Sequence, residues 1–185
     1  MQRTSLRISR AKAGLVVVDI QERLLPAMHE RERLLQNALR LVKGAGVLNL
    51  PVIVTEQYPK GIGRTVPELA GAVPDFEPIE KTAFSCCSAK TFVPSLASRN
   101  VRDVVLCGIE AHVCVCQTAL DLLDRDFGVF IVTDAISSRT PENWYGGIER
   151  MKNAGATIVS TEMILFELLE FAGTDEFKKI LELIK

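Results

Sequence analysis

Long apolar runs, histidines and clustered positive charges are all scarce in this 185-residue chain. No apolar stretch approaches the ~20 residues that a membrane-spanning helix needs, so the sequence predicts no membrane segment and no membrane partner. The basic N-terminus is not followed by the apolar region of a secretory signal peptide. The formal net charge is −1, and lysines and arginines are spread along the chain. A nucleic acid is therefore not expected as a partner.

The histidine and cysteine content limits the metal sites and disulfides that the chain can form. The two histidines, His29 and His112, are too few for a histidine-rich metal cage. An odd number of cysteines, with Cys-Cys and Cys-x-Cys spacings, fits neither a secreted disulfide framework nor a zinc site. We therefore expect free thiols, no metal, no cofactor and a reducing, cytoplasmic location. The five cysteines are Cys86, Cys87, Cys107, Cys114 and Cys116.

The composition is that of a folded globular domain. Hydrophobic residues make up 48% of the chain and charged residues 24%, so the chain is neither disordered nor fibrous. Its length fits one domain of ordinary size, and no repeat, low-complexity stretch or linker divides it. We expect a single domain over residues 1–185.

Short apolar runs alternate with amphipathic segments along the chain. Continuous apolar runs such as residues 13–19 predict strands that are buried on both faces. Strands that alternate with helices indicate βαβ units, and right-handed crossovers then give an α/β fold, a three-layer α/β/α sandwich with a six-stranded, mostly parallel sheet. The predicted strands are residues 13–19, 51–55, 77–81, 101–108, 128–133 and 155–160. The predicted helices are residues 30–45, 88–99, 113–126, 141–154, 161–172 and 174–184, with an irregular loop after residue 55.

Polar residues at the carboxyl ends of the predicted strands are the first candidates for a site, because open parallel sheets bind ligands there. Asp19 follows the first strand and Lys81 ends the third. A carboxylate after an apolar strand is costly to bury unless it is paired, and a lysine at a neighbouring strand end can pair with it. Two alternatives stay open, which are a helix N-cap for Asp19 and a solvated loop lysine for Lys81.

Cys114 is the strongest candidate for a chemically active residue because it lies at the start of the helix after the fourth strand. The positive end of a helix dipole lowers a thiol pKa, and the thiolate is the nucleophile. The alternative is a buried structural cysteine, which Cys107 within its strand fits well. Cys116 lies about 200° further round the helix and is assigned to packing. Cys86 and Cys87, in a loop, are weaker candidates.

Three motifs at these strand ends resemble those of the isochorismatase-like cysteine hydrolases, and the resemblance extends from about Ala13 to Ala172. They are Val-Val-Val-Asp19-Ile-Gln, Glu-Lys81-Thr-Ala-Phe and Gly108-Ile-Glu-Ala-His-Val-Cys114-Val-Cys-Gln-Thr-Ala-Leu, in this order. Residues 55–69 are similar to the branch of isochorismatase domain-containing proteins. The resemblance implies a Rossmann-like fold and a homo-oligomer.

The resemblance also implies an Asp19–Lys81–Cys114 triad. Asp19 would take the thiol proton and later activate water, while Lys81 would hold the thiolate. Cys114 would attack an electrophilic carbon, typically an amide carbonyl, and form a covalent thioester. A cis peptide bond is implied between Ile109 and Glu110, and it would aim backbone N–H groups, including that of Cys114, into an oxyanion hole.

The segment after the second strand departs from the best-known relatives. Nicotinamidases bind a metal there through an Asp and histidines, whereas this chain has Glu56-Gln-Tyr-Pro-Lys60 and no histidine. The resemblance therefore implies a metal-independent hydrolase of a small-molecule amide or related C–N substrate. Two other functions stay open, a non-catalytic binding or scaffold protein and a redox-sensing thiol protein.

Polar side chains beside the strand ends are expected to line the substrate pocket. For His112 a surface position is an equal alternative. The expected pocket residues are Gln21, Glu56, Gln57, Tyr58 and His112.

Overall fold

The computed structural model describes residues 7–185, in which strands and helices alternate as the sequence predicts. All neighbouring strands of the sheet are parallel, in the order β3-β2-β1-β4-β5-β6. This confirms the predicted six-stranded α/β architecture. The strands are β1 (Ala13–Val18), β2 (Val52–Gln57), β3 (Ile79–Lys81), β4 (Asp103–Ile109), β5 (Gly128–Ser137) and β6 (Thr157–Val159).

Helices cover both faces of the sheet. The α-helices are α1 (Arg31–Val47), α2 (Pro59–Ile62), α3 (Pro67–Ala70), α4 (Phe92–Ser98), α5 (Cys116–Leu123), α6 (Pro141–Asn153), α7 (Thr161–Leu169) and α8 (Asp175–Ile184). A π-helical turn, Ala111–Val115, leads directly into α5. No helix within residues 7–185 is long and apolar enough to cross a membrane.

Alternating side chains of each strand enter two separate cores. From β1, Leu15 and Val17 pack with α1, α7 and α8 on one face of the sheet. Val16 and Val18 pack with α4, α5 and α6 on the other face. Every residue of β1 is buried, which explains why the strand is an unbroken apolar run in the sequence.

Several element boundaries differ from the predicted ones. The irregular loop after residue 55 contains α2 and α3, which both begin with a proline. The third strand is reduced to Ile79–Lys81. The fifth strand runs on to Ser137, because a shift of register between Leu106 and Gly108 lets it continue beside β4. The predicted helix 113–126 instead begins with the π-helical turn at Ala111.

The two central strands, β1 and β4, end side by side, with Val18 paired with Gly108. Gly108 has a φ of +118°, and a Cβ atom there would lie 2.1 Å from the carbonyl oxygen of Val18. Only glycine therefore fits at this junction. The strand order changes direction between β1 and β4, and the crevice at such a switch point is where open α/β sheets bind ligands.

Candidate active site

A buried ion pair joins the ends of β1 and β3. Lys81 Nζ donates to Asp19 Oδ2 at 2.6 Å, and the two side chains are 1% and 0% exposed. Lys81 reaches Asp19 across the end of β2, which lies between the two strands. Asp19 caps no helix, since the next helical turn begins at Leu25. The N-cap and solvated-lysine alternatives are therefore wrong, and the mutual pairing compensates for burial of both charges.

The second oxygen of Asp19 is bound by β2. Thr55 Oγ1 donates to Asp19 Oδ1 at 2.7 Å, and the Asp19 N–H donates to the Thr55 carbonyl at 3.2 Å. Asp19 has a φ of +53°, a left-handed conformation that aspartate adopts more readily than most residues. One carboxylate oxygen is thus held by a side chain of β2 and the other by a side chain of β3.

The ammonium group of Lys81 has a full set of acceptors. Besides Asp19, Nζ donates to Gln57 Oε1 at 2.8 Å and to the Phe84 carbonyl at 3.0 Å, with the Ala83 carbonyl at 3.4 Å. An ammonium has three N–H donors, so these contacts occupy all of them. Burial opposes the charge, but the negative charge and hydrogen bond of Asp19, with the charges that Cys86 and Cys114 carry once they ionise, outweigh burial and raise the lysine pKa.

Cys114 lies beside this pair, close enough for the charges of both Asp19 and Lys81 to act on its thiol. Burial, together with the negative charge of Asp19, raises the pKa of Cys114 to about 12, although the positive charge of Lys81 acts in the opposite direction. The expectation of a lowered thiol pKa at a helix start is therefore wrong, because burial and the carboxylate dominate. The thiol is protonated at neutral pH, so its attack on a substrate needs a base.

The segment before Cys114 is held through the backbone and the side chain of Glu110. The peptide bond between Ile109 and Glu110 is cis, at the position that the family resemblance implies. The Glu110 carbonyl accepts the N–H of Val113 at 3.0 Å, and its carboxylate accepts from Arg139 Nε at 3.0 Å. These bonds fix the π-helical turn that carries Cys114.

Gln21 and Glu56, two of the expected pocket residues, are buried and bind the protein's own loops. The side chain of Gln21 accepts from the Gln57 N–H at 2.7 Å and donates to the Gln57 carbonyl at 3.0 Å. The carboxylate of Glu56 accepts from the N–H and hydroxyl of Thr65 at 2.7 and 2.8 Å, and from Arg64 at 2.9 Å. Both side chains therefore stabilise the segment that follows β2.

The other three expected pocket residues lie in different surroundings. Gln57 is buried and binds Lys81. Tyr58 is 52% exposed beside the end of β3. His112 is half-buried, and its Nδ1 atom lies 2.9 Å from Ser138 Oγ.

A cavity of about 450 Å³ opens beside Lys81, which is within the size range of small-molecule sites. Asp19 and Cys114 lie outside its lining, so Lys81 is the member of the predicted triad that the cavity reaches. Gln57 and His112 do not line it either. The lining residues are Tyr58, Pro59, Lys60, Glu80, Lys81, Thr82, Ala83, Ser88 and Ala89.

Two further side chains lie next to the predicted triad: Thr55, which the sequence analysis did not select, and Cys86, which it ranked as a weaker candidate. Thr55 binds Asp19, and its position opposite Val18 in the sheet is the signal that could have identified it. Cys86 is fully buried, with its sulfur 3.6 Å from Thr55 Oγ1, and burial raises its pKa to about 11. All five cysteines are free. In the part of the chain that the structure describes, no group of three or more His, Cys, Asp or Glu residues is arranged to hold a metal ion.

The sequence and the fold both match known proteins. The isochorismatase domain profile matches residues 13–163. Isochorismatase domain-containing protein 2 of Danio rerio is 37% identical over 178 residues, which cover 96% of this chain and 89% of that protein. The structure of the MAR1 ribonuclease of Caenorhabditis elegans superposes with a TM-score of 0.89, 38% identity, and coverage of 96% of this chain and 92% of that one. YcaC of Escherichia coli, an octameric hydrolase of unknown specificity, superposes with a TM-score of 0.92, 27% identity, and coverage of 99% and 91%.

Proposed function

The chain belongs to the isochorismatase family, and on this basis we propose that it is a metal-independent cysteine hydrolase of a small-molecule amide or a related C–N substrate. The observation that carries the proposal is the buried Asp19–Lys81 ion pair with the buried Cys114 thiol within electrostatic reach of both charges. A base beside a protonated nucleophile is the arrangement that nucleophilic catalysis requires.

In the first half of the reaction, Asp19 takes the proton of the Cys114 thiol as the sulfur attacks the amide carbonyl carbon. The carbonyl oxygen becomes an oxyanion, which backbone N–H groups at the Ile109–Glu110 turn, including that of Cys114, stabilise. When the C–N bond breaks, Asp19 returns the proton to the leaving amine. The acyl group remains on Cys114 as a thioester.

In the second half, Asp19 takes a proton from a water molecule that attacks the thioester. The C–S bond breaks, the proton returns to the sulfur, and the carboxylic acid product leaves. Lys81 supports both halves because its ammonium group stabilises the Asp19 carboxylate at rest. Once Asp19 is protonated it is a weaker acceptor, and a Lys81 N–H becomes available to the Cys114 thiolate.

Hydrolysis of a panel of small amides tests the proposal. Ammonia or amine release is measured for the wild type, Cys114→Ala and, as a matched control, Cys107→Ala, which removes a buried thiol outside the triad. We expect Cys114→Ala to abolish turnover of any substrate found, and Cys107→Ala to retain it. Full turnover by folded Cys114→Ala would disprove the proposed mechanism.

A covalent intermediate and the choice of substrate class are tested together. With a slowly hydrolysed substrate, intact-mass spectrometry should detect an acyl adduct on wild-type protein and none on Cys114→Ala. Single-stranded RNA belongs in the same panel, because the C. elegans structure is that of a ribonuclease. RNA cleavage without amide hydrolysis would replace the amide proposal. Absence of both activities, with no selective alkylation of Cys114, would favour a non-catalytic scaffold.

We also propose that the chain forms a homo-oligomer in a reducing cytoplasm. The E. coli structure is octameric, and exposed aromatic side chains such as Tyr145 and Phe171 are available for contacts between subunits. The free cysteines favour the reducing compartment. Sedimentation velocity tests the assembly, and a single species at the 20.4 kDa mass of one chain would contradict it.

A further inference from the structure

Gln57 and Lys81 are paired residues of the parallel β2–β3 ladder, so their side chains leave the sheet on the same face. Gln57 Oε1 accepts from Lys81 Nζ at 2.8 Å, and Gln57 Nε2 donates to the Thr82 carbonyl at 2.7 Å. Rotating the amide by 180° would turn its NH₂ group toward the ammonium and its oxygen toward the carbonyl. Both ends of the amide therefore define its orientation.

The backbone of Gln57 is held as firmly as its side chain. Gln21 binds both the N–H and the carbonyl of Gln57, and it also donates to the Gly63 carbonyl at 2.6 Å. Gln21 is fully buried and Gln57 is 7% exposed. Solvent therefore hardly competes for these bonds, and the Gln57 oxygen is a fixed acceptor.

Lys81 has only three N–H donors, so the one that Gln57 accepts is not available to another group. The three N–H groups of the ammonium are taken by Asp19, Gln57 and the Phe84 carbonyl. None is left for Cys114 in this state. Without Gln57, the Lys81 N–H that donates to Gln57 Oε1 could donate to a Cys114 thiolate instead.

We propose that Gln57 is a positioning residue that holds one Lys81 N–H away from Cys114 and so keeps the ammonium on Asp19 while the thiol is protonated. This role rests on the proposed triad and goes beyond it, because Gln57 then acts through Lys81 and does not contact substrate. The thiol remains protonated until Asp19 accepts its proton during attack on a substrate.

A near-isosteric pair of variants tests the proposal, with the rate of Cys114 alkylation by iodoacetamide as the readout. Gln57→Glu keeps an acceptor on Lys81 and adds a negative charge near the thiol, so we expect alkylation about tenfold slower at a given pH. Gln57→Met frees a Lys81 N–H for the thiolate, so we expect alkylation about tenfold faster. Peptide mass spectrometry separates Cys114 from the other cysteines, and rates are followed from pH 6 to 9.

Asn37→Asp is the matched control, because Asn37 is a buried amide that donates to the Asp134 carbonyl at 2.9 Å on the opposite face of the sheet. We expect its Cys114 alkylation rate to stay at the wild-type value. Wild-type rates in both Gln57 variants would overturn the proposal, and so would an equal slowing in Asn37→Asp. If Gln57→Glu does not fold, as judged by circular dichroism, Gln57→Met decides, and a rate that does not rise overturns the proposal.

Alkylation requires no turnover, so this result is independent of the hydrolase assay. Failure of the hydrolase proposal would appear as substrate turnover by the Cys114→Ala variant. Failure of the Gln57 proposal would appear as alkylation rates that do not respond to residue 57. The two failures are therefore distinguishable.

Discussion

At the scale of single residues, burial and charge pairing together set the charge of each member of the proposed triad. The Lys81 ammonium and the Asp19 carboxylate stabilise each other where neither could remain charged alone. For the Cys114 thiol, burial and the Asp19 charge outweigh the effect of Lys81, and its pKa rises to about 12. The resting site is thus an ion pair beside a neutral thiol.

Removing one member of the ion pair is expected to destabilise the fold. In Lys81→Met, the Asp19 carboxylate stays buried without its cation, so we predict a loss of about 3–5 kcal/mol in the free energy of unfolding. Urea denaturation at pH 7 measures it. The control is Asp19→Asn/Lys81→Met, in which both charges of the pair are removed, and it should recover a large part of the loss. A Lys81→Met variant as stable as the wild type would contradict this account.

The sequence predicted that Asp19 and Lys81 pair at the strand ends, but it did not predict which other groups bind them. Asp19, Lys81 and Cys114 were candidates because the strand ends of a parallel sheet converge, and the family resemblance then grouped them as a triad. The pairing of Gln57 with Lys81 depends on strand register and rotamers, which the pattern of residue types does not contain. The predicted direction of the Cys114 pKa shift was wrong for a similar reason, since the depth to which a side chain is buried depends on the tertiary structure.

At the scale of elements, the position of Cys114 depends on close packing of α6 against the π-helical turn Ala111–Val115. Gly147 of α6 is the contact residue. A Cβ atom there would lie 2.8 Å from the Ala111 carbonyl oxygen and 3.0 Å from the Cα atom of His112. Gly146, the preceding residue, is exposed and has free space around its Cα atom.

These adjacent glycines should respond oppositely to alanine. Gly146→Ala adds a better helix former in open space, so we predict a stability gain of about 0.5–1 kcal/mol. Gly147→Ala forces α6 away from the turn, so we predict a loss of about 1–3 kcal/mol. Thermal and urea unfolding of the two variants provide the comparison. Equal effects of the two substitutions would show that the close approach at Gly147 has no energetic importance.

Element identity followed from the sequence more reliably than element length. The apolar runs of β1 and β4 predicted strands because both faces of the sheet are covered. The extension of β5 to Ser137 was not predictable in this way. It depends on an irregularity in its pairing with β4, and no local residue pattern signals such a shift.

At the scale of the whole molecule, the cysteines link folding stability to pH. Burial is the largest cause of a raised pKa for all five thiols. An unfolded cysteine loses its proton near a pKa of about 8.5. Above that pH and below the folded pKa, the folded state binds more protons than the unfolded state. The stability that each protonated, buried thiol contributes is therefore fully present below about pH 8.5. Between that pH and the folded pKa, the free energy of unfolding falls by about 1.4 kcal/mol per pH unit for each thiol.

Cys107 offers the simplest test, because it is fully buried in the sheet and burial alone raises its pKa. We predict that Cys107→Ala lowers the dependence of unfolding free energy on pH, between about pH 8.5 and 10, by about 1.4 kcal/mol per pH unit. Urea denaturation under reducing conditions measures this slope. Ile136→Val is the control, since it removes a buried methylene without a thiol and should give a curve parallel to the wild type. An unchanged slope in Cys107→Ala would mean that its thiol loses its proton equally readily in the folded and unfolded states, which is incompatible with the burial seen in the structure.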